Sequence, residues 1–160
     1  MPRVIYTAEA TVTGGRGAGH AISSDGALEV QLRRPAEMAG EGGGTNPEQL
    51  FAVGYAACFD GALTVVARRE RRELGEISIT SRVSLLGVSE RRFGIAAELD
   101  VLLPAVEDPA EATRIVAEAH RICPYSNATR GNVDVRLTAN GHAVEHAADG
   151  PVDSLREAAG

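Results

Sequence analysis

A chain of 160 residues, 44% hydrophobic and 24% charged, is long enough to bury a core of its own. Its net charge of −6 argues against a general nucleic-acid binder, which needs a basic face for phosphates. All 16 residues counted as Lys+Arg are arginine, so a lysine Schiff base and the lysine of a Walker A loop are both excluded.

In chain order, residues 4–13 alternate apolar and polar and predict a half-buried strand. A Gly-rich turn follows at 14–19. Asp25-Gly26 then signals a hairpin, with Leu28, Val30 and Leu32 on one side of its second strand. In the loop 36–46, three consecutive glycines cannot hold regular structure well. A helix is predicted from Pro47 to about Arg69. Asn46 is its N-cap, Pro47 its first residue, and Gln49 completes a capping box. This helix is apolar nearly all round, as suits a central, buried position. The Arg-rich run 67–75 reads as its solvated end.

Strands are expected at 77–86 and 93–103. The second carries Phe93, Ile95, Ala97, Leu99, Val101 and Leu103 on one face, and Pro104 stops it. Another helix is capped by Asp108, opened by Pro109 and boxed by Glu111, with Ile115, Ala119 and Ile122 as its apolar stripe. Pro124 prevents its continuation and leaves Cys123 at its C-terminal end. Residues 132–138 predict a last strand. The pattern β-β-α-β-β-α-β defines an α+β chain with antiparallel pairing. One domain is expected over 1–140, followed by a partly disordered tail, 141–160, with a short helix at 153–159. The N-terminus has no apolar run suited to a signal peptide. The stretch 50–67 is broken by Gly54, Asp60 and Gly61 and reads as a poor membrane span. These features predict a cytoplasmic protein, where thiols stay reduced.

Cys58 and Cys123 are the two cysteines. Free cysteines are commonly buried small hydrophobes. A reactive one needs positive charge or a helix N-terminus beside its thiolate. Cys58 lies about three turns into its helix with Asp60 as its nearest charge, so a cation has to come from another segment. Cys123, at a helix C-terminus, is a poor primary nucleophile and a better resolving thiol. Sequence leaves open whether the two meet. His120 and Cys123, at i,i+3, are candidate metal ligands, but no CxxC or HExxH accompanies them, and no metal is expected. The glycines at 14, 15, 17 and 19 lack GxGxxG spacing, and no GxSxG occurs.

Three stretches carry a resemblance: "YTAEATVTGGRGAGHAISSDGALEVQL", "NPEQLFAVGYAACFDGAL" and "ICPYSNATRGNVDV". Together they resemble the organic hydroperoxide resistance proteins, the Ohr branch of the Ohr/OsmC superfamily, over roughly residues 4–138. The resemblance implies an OsmC-like fold, with sheets wrapped around central helices in an intertwined homodimer. It also implies a cysteine-based peroxidase that needs no cofactor. Cys58 matches the peroxidatic cysteine and Cys123 the resolving one. Arg16 matches the arginine that activates the thiolate, and Glu48 the glutamate that holds that arginine. The implied substrates are organic and fatty-acid hydroperoxides, and the implied reductant is a dithiol such as the lipoyl group of a protein. A non-catalytic lipid binder and a redox sensor are the competing expectations.

Overall fold

In the computed structural model, residues 2–89 and 92–145 are described. His146 and the expected helix at 153–159 lie outside them. The chain divides into two compact units between Leu50 and Phe51.

The first unit holds a three-stranded antiparallel sheet, β1 (Ala10–Thr13), β2 (Gly19–Ser23) and β3 (Glu29–Arg33), in the order β1-β2-β3. Between β1 and β2 the Gly-rich turn contains a single helical turn, α1 (Gly15–Ala18), where the sequence predicts only a turn. Gly14 and Gly15 enter it at φ 73° and 71°, the left-handed region that favours glycine. At the predicted hairpin, Gly26 has φ 72°, and Ser23 Oγ donates to Asp25 Oδ1 at 2.6 Å. The first strand is shorter than predicted. Only Ala10–Thr13 pairs in a ladder, and Val4, Ile5 and Tyr6 are exposed. Alternation marks residues that suit a strand, but a strand also needs a neighbour, and the described chain offers residues 4–8 none.

The long helix α2 (Pro47–Glu70) begins in the first unit and runs through the second. Asn46 caps it, its Oδ1 accepting from the Gln49 N–H at 2.9 Å. The other half of the predicted box is replaced: Gln49 Oε1 accepts from Thr45 Oγ1 at 2.8 Å. By length and composition α2 could cross a membrane, so Gly54, Asp60 and Gly61 do not disqualify it as predicted. Tyr55, Phe59, Leu63 and Val66 instead point one face into the core of the second unit. The opposite face, with Val53, Ala57, Gly61 and Val65, stays exposed, so α2 is half covered within one chain rather than enclosed.

The second unit adds β4 (Ser78–Ser89), β5 (Arg92–Leu102), α3 (Pro109–Ile122), α4 (Pro124–Thr129), β6 (Asp134–Ala139) and β7 (His142–Ala143). Its sheet runs β4-β5-β6-β7. The β5–β6 pair is parallel, against the expectation of antiparallel pairing throughout. The reason lies in the connection: α3 and α4 form a crossover that returns the chain to the end where β5 began. The buried face of β5 carries Ala97, Leu99 and Val101, with Leu103 just beyond it. Phe93, assigned to the same face, is 70% exposed near the start of β5, where the burial seen at Ala97, Leu99 and Val101 has not yet begun. Val135, Leu137 and Ala139 of β6 and Ala112, Ile115, Val116 and Ala119 of α3 complete the core. Asp108 caps α3, accepting from the Ala110 N–H at 3.1 Å, while Glu111 turns to Arg72 and Arg114 instead of closing a box.

After β6, Asn140 (φ 48°) and Gly141 (φ 82°) form a tight hairpin into β7, and Val144 is buried. Asn140 also ties down the end of β5. Its Oδ1 accepts from the Leu103 N–H at 2.7 Å, and its Nδ2 donates to the carbonyls of Val106 at 2.8 Å and Leu103 at 3.2 Å. Asn140→Ala removes these bonds and places a less tolerant residue at positive φ. Urea melts are expected to show a loss of about 2–4 kcal/mol.

Candidate active site

Cys58 sits one turn after Tyr55 on α2, partly exposed and packed against the core. Gly54 lies just upstream, close under Tyr125: a Cβ there would stand 3.3 Å from the Tyr125 ring and its hydroxyl, so the ring would have to shift slightly to admit one. Tyr125, Phe51 and Tyr55 form an aromatic group with ring centroids 5.8–5.9 Å apart. Cys123 is fully buried. Its N–H closes α3 on Ala119 O at 2.9 Å, and its carbonyl accepts the Asn127 N–H, at 3.0 Å, that opens α4. Pro124 therefore does two things. It ends α3, as predicted, and it occupies the first position of α4, a helix absent from the prediction.

This corner brings Cys123 to Cys58. The two free thiols lie 3.6 Å apart, with Cys123 Sγ donating to Cys58 Sγ, across 65 residues of sequence. Burial pushes the Cys58 thiol up, the main-chain N–H of Tyr125 pulls it down, and the hydrogen bond and charge of Cys123 push it up again. The net direction is upward, toward the unreactive thiol. The Tyr125 donor is nevertheless a stabilising group that sequence reasoning missed.

In the first unit, α1 presents Arg16 to Glu48, on the first turn of α2. Arg16 Nη2 bridges both carboxylate oxygens at 3.0 Å. A single guanidinium nitrogen makes both contacts, rather than the two parallel N–H bonds of a forked pair. Glu48 is 18% exposed and Arg16 42%, so the cation remains open to solvent. The four site residues predicted from the resemblance thus fall into two pairs, Cys58 with Cys123 and Arg16 with Glu48. His120, the other candidate metal ligand, shares a hydrogen bond through Nδ1 with Ser126 Oγ at 2.9 Å. Among the described residues no three His, Cys, Asp or Glu side chains gather as a metal set.

The fold and the paired cysteines define a class. The OsmC-like protein family matches residues 40–138. The organic hydroperoxide resistance protein of Xanthomonas axonopodis pv. citri is 55% identical over 138 residues, 85% of this chain and 95% of that one. A crystal structure of an organic hydroperoxide resistance protein from Legionella pneumophila superposes with a TM-score of 0.80 at 47% identity, covering 84% of this chain and 97% of that one. That of OhrB from Bacillus subtilis gives 0.76 at 46%, covering 84% and 98%. The chain belongs to the organic hydroperoxide resistance branch of the OsmC-like family.

Proposed function

We propose that this protein is a thiol-dependent peroxidase that reduces organic hydroperoxides to alcohols and so confers resistance to them. The observation that carries the reading is the approach of a partly exposed Cys58 sulfur to a buried Cys123 sulfur at 3.6 Å. The Cys58 thiolate attacks the outer peroxide oxygen, the O–O bond breaks, and the alkoxide leaves as alcohol on taking a proton. Cys58 is then a sulfenic acid. The Cys123 thiol displaces its oxygen as water and forms the disulfide. A dithiol, such as a protein-borne lipoyl group, restores both thiols.

Within its own unit Cys58 is pushed toward the thiol, so attack requires an added cation. Arg16 fills that role in this reading, and Glu48 orients its guanidinium. Arg16 also stabilises charge on the departing oxygen. The working unit is a cytoplasmic homodimer. Two features support the dimer: the apolar stripe Val53, Ala57, Gly61 and Val65 left open on α2, and the exposed Val4, Ile5 and Tyr6.

Turnover of tert-butyl hydroperoxide with dihydrolipoamide tests this function. A protein that binds hydroperoxide without consuming it would be a carrier instead. One that oxidises once and is not re-reduced by dithiol would fit a sensor. In Cys123→Ser, peroxide attack should persist while the Cys58 sulfenic acid goes unresolved. With several equivalents of peroxide, intact-mass spectra should then show sulfinic acid accumulating.

A further inference from the structure

Three buried polar side chains flank the two cysteines. Tyr55, on α2, lies three residues before Cys58. His120, on α3, lies three before Cys123, and Ser126, on α4, three after it. Tyr55, Ser126 and His120 are 0%, 0% and 2% exposed. The Tyr55 hydroxyl is 3.0 Å from Ser126 Oγ, which is 2.9 Å from His120 Nδ1. Thr129 Oγ1 lies 3.5 Å from the same Tyr55 hydroxyl. Arg130, just past α4, reaches back to donate to His120 O at 3.3 Å.

Apolar side chains would fill this space without the desolvation cost of a hydroxyl and an imidazole. Apolar packing, however, tolerates sliding of one helix on another, whereas a satisfied polar chain is directional and specifies one register. The register matters here because the sulfurs must close from 3.6 Å to about 2.0 Å with a defined torsion to form the disulfide. Peroxide attack on Cys58 makes no such demand on Cys123.

We propose that Tyr55, Ser126 and His120 are positioning residues that hold the α3–α4 corner in register with α2, acting on disulfide formation and not on peroxide attack. The step they serve is Cys58–SOH plus Cys123–SH giving the Cys58–Cys123 disulfide and water. The S–O bond breaks, the S–S bond forms, and the thiol proton leaves with the hydroxyl. The inference rests on the peroxidase reading for this step, but the register itself can be tested without it.

Tyr55→Phe and Ser126→Ala each delete one hydroxyl and keep the packing. With one equivalent of tert-butyl hydroperoxide, dimedone trapping follows the first step and intact mass follows the second. In both variants sulfenic acid formation should stay within about twofold of wild type, while disulfide formation slows about tenfold, the loss expected for one hydrogen bond. With the hydroperoxide raised to several equivalents, Cys58 hyperoxidation, which consumes a second equivalent, should rise in parallel. Oxidation by diamide, which needs no peroxidase activity, should also form the disulfide more slowly. An unchanged disulfide rate in both variants overturns the inference. Equal slowing of both steps overturns it too, and failure of both variants to fold assigns the network to stability alone. A wild type that forms the disulfide with diamide but consumes no hydroperoxide would overturn the functional reading and leave the register test standing.

Discussion

Cys58→Ser is expected to abolish hydroperoxide consumption, by about three orders of magnitude or more, while leaving the fold intact. Serine keeps the side-chain volume nearly unchanged at a half-buried position, so the helix and its packing persist. What disappears is the nucleophile. Even a thiol pushed upward ionises far more readily than an alcohol and gives a polarisable anion, whereas a serine hydroxyl with no adjacent base does not ionise. The residual Cys123 thiol cannot substitute, because it is fully buried. The measurement is steady-state peroxide loss with a saturating dithiol, accompanied by a thermal melt. Turnover near the wild-type rate with an unchanged melt would remove Cys58 from the mechanism.

Arg16→Ala is expected to lower the rate of peroxide attack on the order of a hundredfold at neutral pH. It should also move the pH dependence of Cys58 alkylation to higher pH. Burial already pushes the Cys58 thiol up, and the main-chain N–H of Tyr125 offsets only part of that. On the proposed reading Arg16 supplies the cation; losing it disfavours the thiolate further, so at fixed pH a smaller fraction is ionised. The alkylation rates of variant and wild type should converge as pH rises and both become fully ionised. Any gap in peroxide attack that persists at high pH measures stabilisation of the leaving oxygen, which alkylation by iodoacetamide does not need. Glu48→Gln should fall between wild type and Arg16→Ala, because it frees the guanidinium without removing it. An alkylation profile identical in Arg16→Ala and wild type would show that another group supplies the charge.

Local signals were legible where the physics is local. A cap side chain satisfies an N–H two or three residues away, so Asn46-Pro47 and Asp108-Pro109 mark the starts of α2 and α3 in the sequence itself. The Asp25-Gly26 turn and the alternation of β5 are readable for the same reason. Two short-range signals were present and unused. Pro124 is as good a first residue for α4 as it is a stop for α3, and Asn140-Gly141 is a hairpin pair that leads into β7. Cys58 and Cys123 were candidates as the two cysteines, but the assignment of Cys58 as the attacking thiol and the choice of Arg16 and Glu48 came from resemblance to a family, since nothing in the residues around Cys58 marks it as reactive.

Other features were decided only when the chain packed. The parallel pairing of β5 with β6, the shortening of the first strand to Ala10–Thr13 and the exposure of Phe93 each depend on which surfaces find neighbours. The same holds for the site. The sequence by itself determined the helices that carry the cysteines and the residue types available to them. The tertiary structure decided that two sulfurs 65 residues apart stand 3.6 Å from each other, and that Tyr55 meets Ser126 across 71. Propensity and capping act over one or two turns of chain, whereas such distances are set by core packing, which joins residues without regard to their separation in sequence.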